Sequence, residues 1–127
     1  MKIPSDLALI FLNLSEIARL SAAEADRGLK RPAEKAFYVA LGRTYFTNYQ
    51  LLKELEPAAD SDLAGLGVRF CDTGLILDGL SAVHNARQEN VLSRSYAGAA
   101  LAYTRCAEII VAYLSDRENS AAPEAAP

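Results

Sequence analysis

The chain has 127 residues, 51% of them hydrophobic and 23% charged, with a formal net charge of −3. That length supports one domain with a real core and is too short for two. Its basic residues are dispersed, so the concentrated positive face that phosphate binding needs is missing and nucleic acid is not an expected partner.

The apolar run Leu7 to Leu12 follows Asp6, leads to no small-residue cleavage site, and falls far below the roughly 20 residues of a bilayer span. Neither a secretory signal nor a membrane partner is expected. Two cysteines without a CxxC or a Cys/His cluster fit a reducing compartment and offer no zinc site, so the expected location is cytoplasmic, with no metal and no cofactor.

The first helix is predicted from Ser5, a good N-cap, to Gly28, which suits the position after a helix end. Its inward seam reads Leu7, Ile10, Phe11, Leu14, Ile17 and Ala18, while Leu9 and Leu12 point elsewhere. Asn13 interrupts the apolar run. The densest basic cluster, Arg27, Lys30, Arg31 and Lys35, falls at the first interhelical turn, where cations suit a helix C-terminus.

The second helix is expected from Pro32, where a missing N–H is harmless, to Glu56, ahead of Pro57. Phe37, Tyr38, Leu41, Tyr45, Asn48, Leu51, Leu52 and Leu55 form its seam, and Val39 and Phe46 project from the other side. In an antiparallel hairpin Asn13 and Asn48 fall at one level, where two amides could pair and fix register.

After the turn at Pro57 to Asp60, a third helix starts with Asp60 or Ser61 as cap and carries Leu63, Leu66, Phe70, Leu77, Leu80 and His84 at heptad spacing, with Thr73 among them. Beside that seam Gly67, Gly74 and Ser81 recur every seven residues. A mid-helix glycine costs about 1 kcal/mol relative to alanine, so its use predicts close approach of another element. A turn at about residues 86 to 90 sets Gly67 against Ile110, Gly74 against Tyr103 and Ser81 against Tyr96 of a fourth helix, Asn90 to Asp116, small against large. The weakest boundary is that turn, which contains neither Gly nor Pro.

No segment reads as strand. The expected fold is therefore all-α, an antiparallel up-down four-helix bundle over residues 1–117, with a short disordered tail at 118–127. Six tyrosines, five of them shared between the second and fourth helix seams, suit core or interface positions.

No motif assigns an activity. A di-iron bundle needs Glu-x-x-His pairs and a covalent haem needs CxxCH, and neither occurs. Gly65-Leu66-Gly67 has no preceding strand and no third glycine, so it is not a dinucleotide fingerprint. His84 and Arg87 carry the one resemblance. The order His-x-x-Arg resembles histidine phosphotransfer domains, which are four-helix bundles of this length, and it implies a phosphoacceptor role for His84 with Arg87 neutralising the phosphoryl group. Gln88 stands where those domains have glycine. The more economical role for His84 is capping or half-buried packing at a helix end.

Cys71 and Cys106 fall at one level of the second hairpin and form a candidate redox pair, although buried cysteine commonly serves as a small apolar residue. The function expected is non-catalytic: a self-associating bundle acting as adaptor, regulator or assembly subunit on itself and another protein. Phosphorelay through His84 and binding of an apolar small molecule in the core are the alternatives. The expected interface is a patch on the first hairpin formed by Leu9, Leu12, Val39 and Phe46, since a monomer seldom leaves so many large apolar groups in water.

Overall fold

A computed structural model describes residues 5–28, 32–55 and 59–125. Four helices account for nearly all of them: α1 (Ser5–Gly28), α2 (Pro32–Glu54), α3 (Asp60–Ala86) and α4 (Asn90–Ala125). The fold is an all-α four-helix bundle whose consecutive helices alternate in direction.

The helix boundaries follow local chemistry, with three differences from expectation. Leu55 closes α2 through a tightened turn, its N–H donating to the Leu52 carbonyl at 3.2 Å, so the helix stops before Glu56, which lies outside the described residues. Ala59, extended at φ −77° and ψ 160°, caps α3 with its carbonyl alone, accepting from Asp62 and Leu63. Asp60 is not the cap. Its carboxylate reaches across the bundle end to Arg117 Nε at 3.3 Å, and with Asp62 it complements the helix dipole. The third difference is α4, whose helical backbone runs to Ala125, past the boundary drawn at residue 117. Glu118 and Asn119 are exposed there, consistent with a segment that buries nothing.

The turn between α3 and α4 is made without glycine or proline because Gln88 adopts φ 61°. Backbone bonds from Gln88 to Asn85 and from Glu89 to His84, each 3.0 Å, hold it in that left-handed conformation.

Small residues decide which helices touch. A Cβ on Gly42 would stand 3.3 Å from both the Ala18 Cβ and the Ser15 carbonyl oxygen, and Ser15 Oγ donates to the Gly42 carbonyl at 3.0 Å, so α1 and α2 cross backbone to backbone. A Cβ on Gly98 would overlap the Phe37 carbonyl, which places α4 as tightly on α2. Between α3 and α4, a Cβ on Gly67 would lie 3.2 Å from Ile110. One on Gly74 would lie 2.8 Å from Thr104 Oγ1 and 3.3 Å from the Ala100 carbonyl.

These seams arrange the helices laterally as α1, α2, α4, α3. Residue numbers rise together across the α2/α4 seam, from Phe37 beside Gly98 to Asn48 beside Cys106, so α2 and α4 are parallel and join the two hairpins. α1 and α3 close the ring near their starts, where the Phe11 and Phe70 rings lie 6.5 Å apart. Around them Leu7, Leu52, Leu63, Leu66 and Ile110 form the buried core, extended by Phe70 against Tyr103 at 5.6 Å.

The seam expectations for α3/α4 hold in part. Gly67 meets Ile110. Gly74 meets Thr104 and the α4 backbone rather than Tyr103, whose ring turns to Phe70. Ser81 meets Ser93 rather than Tyr96, the two serines exchanging bonds to each other's carbonyls at 2.9 and 2.8 Å. A backbone that comes this close leaves no room for a ring between the helices.

On α1, Ile10 and Ile17 are exposed although expected inward, because α2 and the foot of α3 cover only a narrow stripe through Leu7, Phe11 and Ala18. Leu51 and Leu80 are likewise exposed. Asn13 is in water, two residues and about 200° round the helix from Phe11, so no Asn13–Asn48 pair forms.

Candidate interaction surfaces

Three places were marked by sequence, and the fold separates them. On the first hairpin Leu9 and Phe46 are exposed, at 50% and 43%, while Leu12 and Val39 are half-buried. Val39 and Phe46 line a shallow groove with Arg19, Ala22 and Gly42, and Phe46 leans on Tyr49 with ring centroids 5.7 Å apart. Arg19 and Arg43 are the two charged residues that line it. Glu16 holds Arg19 as an i,i+3 partner, and this bond pulls the Glu16 carboxyl below its ordinary range.

His84 is half-buried at the end of α3. Its ring stacks on Tyr96 at 5.2 Å and 12°, and its Nδ1 stands 3.0 Å from Glu89 Oε1. Arg87 is exposed, in the residue that ends the helix. A carboxylate on the imidazole repels an incoming phosphoryl group, and an aromatic plate covers one ring face. The arrangement suits a clasp across the α3/α4 turn, where the His84 carbonyl also accepts from Arg87 and Glu89.

The two thiols are free and occupy different environments, Cys71 in water and Cys106 in the core. They are not joined, since Cys71 lies off the α3/α4 seam. Cys106 instead belongs to a buried polar trio with Tyr45 and Asn48, which the sequence reading did not assemble although all three lie on their helix seams. Burial pushes the Cys106 thiol up to about 12, against the smaller opposing pull of the Asn48 amide. Tyr45 is also pushed up to about 12, first by burial and then by Cys106. A thiol so protonated is no nucleophile at neutral pH. The Asn48 amide is fully buried beside this thiol, and no oxygen or nitrogen partner meets its Nδ2 or Oδ1 at hydrogen-bonding geometry.

The surface that sequence missed is the outer side of α3. Val68, Leu75 and Ile76 are 61%, 65% and 65% exposed, with Val83 and Leu80 beside them. At about 100° per residue these side chains lie opposite Leu63, Phe70 and Gly74. Gly65 and Gly79 are on the same outer side, and a Cβ on either would meet nothing within 4 Å. The signal was present: Gly65, Asp72, Gly79 and Ala86 form a second heptad row, masked by the stronger one facing α4.

α4 is the one described helix long and apolar enough, by length and composition, to cross a membrane. Both α2 and α3 pack along it, which accounts for that composition in a bundle. Among the described residues no group of His, Cys, Asp and Glu is placed to hold a metal. No protein-family model, no curated protein and no solved structure matches this chain.

Proposed function

We propose that this chain is a non-catalytic, cytoplasmic helical-bundle protein that self-associates and works through protein–protein contacts as an adaptor, regulator or assembly subunit. One observation carries the reading: α3 presents large apolar side chains on two opposite sides, Leu63, Leu66 and Phe70 toward the bundle and Val68, Leu75, Ile76 and Val83 away from it, while α4 and the foot of α1 cover only the first. An amphipathic helix in a self-contained bundle ordinarily has one apolar stripe, so a second one on the far side calls for a second neighbour. Scattered single apolar residues on a surface need no explanation, but a row of them along one helix is the arrangement that marks a contact surface. The exposed Leu9 and Phe46 on the first hairpin add a second apolar area that a further partner can use.

Light scattering of the purified chain at high micromolar concentration tests this. A mass of two or more chains is expected, and a monomer across that range overturns the reading.

A further inference from the structure

We propose that the outer face of α3 is where two copies of this chain meet, their α3 helices lying antiparallel about a two-fold axis that passes between Leu75 and Ile76. The inference rests on the self-association proposed above and names its surface and geometry.

The first observation is that the row is its own complement. Along the outer face stand Gly65, Val68, Asp72, Leu75, Ile76, Gly79, Val83 and Ala86. Reversed about its centre, the row sets Gly65 level with Ala86, Val68 with Val83 and Asp72 with Gly79, and brings Leu75 and Ile76 each beside its own counterpart. Small residues face small ones at the ends, valine faces valine, and the two most exposed aliphatic side chains meet at the centre. A two-fold interface requires one patch to be complementary to itself, whereas an unrelated partner would impose no such symmetry.

The second observation is the contrast between glycines. Gly67 and Gly74 are held against α4 at contact distances, and Gly65 and Gly79, on the other side of the same helix, face open space. In the antiparallel pair Gly79 lies opposite Asp72 of the partner subunit, where its missing side chain leaves that carboxylate room to remain hydrated. Gly65 lets the helix ends approach.

The third is charge. Asp62 and Arg87 are both exposed and share one flank of the face. A two-fold axis perpendicular to the helices keeps like flanks together, so Asp62 of one copy comes level, to within two residues or about 3 Å, with Arg87 of the partner subunit. Symmetry makes that pair twice, once at each end. The row from Gly65 to Ala86 spans about 32 Å, the length over which the two helices would touch.

Cysteine placement in the full chain, with Cys71→Ser to remove the exposed native thiol, reads the geometry directly. Leu75→Cys should form a covalent dimer on mild oxidation. Val68→Cys should not link to itself but should link to Val83→Cys when the two proteins are mixed. Self-linking of Val68→Cys in high yield would mean a parallel pair and overturn the arrangement.

Charge exchange reads the register. Asp62→Arg and Arg87→Asp should each weaken dimerisation about three- to tenfold at low salt, the range of exposed ion pairs, and the doubly exchanged chain should recover it. Absence of recovery in a dimeric, folded double variant overturns the register. If wild type is monomeric, this inference and the function reading fail together. If it is oligomeric, unaffected by Leu75→Glu with Ile76→Glu, and dissociated by Leu12→Glu with Phe46→Glu, the α3 face is overturned while self-association stands.

Discussion

The inner and outer faces of α3 both set glycines in a heptad row with large apolar groups between, Gly67 and Gly74 on one and Gly65 and Gly79 on the other, yet they do different things. On the inner face Gly67 and Gly74 admit Ile110 and the α4 backbone, and Leu63 and Phe70 are buried. On the outer face Gly65 and Gly79 admit nothing within the chain, and Leu75 and Ile76 stand in water. Glycine in a heptad row therefore has opposite energetic meaning on the two sides. What separates them is the neighbour: inner residues pack within the chain, and outer ones meet nothing in it.

The comparison is broken most forcefully by truncating one large side chain on each face. Phe70→Ala should destabilise the fold by about 3 to 5 kcal/mol, as loss of a buried ring does, whereas Ile76→Ala in dilute, monomeric protein should stay within about 0.5 kcal/mol of wild type. Urea titration followed by helical circular dichroism measures both. Similar losses for the two would show that α3 is covered on both sides within one chain.

Overfilling comes next. Gly74→Leu should cost about 2 to 3 kcal/mol, because Thr104 and the Ala100 carbonyl leave no space and the two helices must separate. A variant that melts with wild type would place the close crossing elsewhere.

Gly65→Ala should do the reverse on the outer face and stabilise dilute protein by about 1 kcal/mol, since alanine is the better helix former and its methyl meets no neighbour. A loss of stability in the monomer would mean that something already lies against Gly65.

A separate test distinguishes the buried trio from the exposed surface by pH. Tyr45 and Cys106 hold their protons more tightly folded than unfolded, both reaching about 12 from ordinary values of 10.0 and 9.0. The unfolded chain therefore ionises first as pH rises. Stability that is complete below about pH 9 should fall progressively toward pH 12, and Cys106→Ala should flatten part of that fall. An unchanged alkaline slope in Cys106→Ala would show that the thiol does not contribute.

Helix number, type and most boundaries were legible in the residues because they depend on local chemistry: Pro32 at a helix start, periodic Leu and Phe, and hairpin lengths that set Gly67 level with Ile110. The existence of surplus apolar surface was legible too, from Leu9 and Phe46. Its principal location was not, because helical periodicity specifies which residues share a face and is silent on which face a neighbour takes.

Only the tertiary structure decided that α2 lies beside α4 rather than α3, through Gly98 against the Phe37 carbonyl. That choice left α1 and α3 as outer helices touching at Phe11 and Phe70, exposed Ile10 and Ile17, and turned one of two heptad rows on α3 toward water. It also brought Asn48 to Cys106 instead of Asn13. A chain records the shape of each helix in its own sequence. The order in which helices pack depends on contacts between residues far apart, and here a few missing side chains select that order.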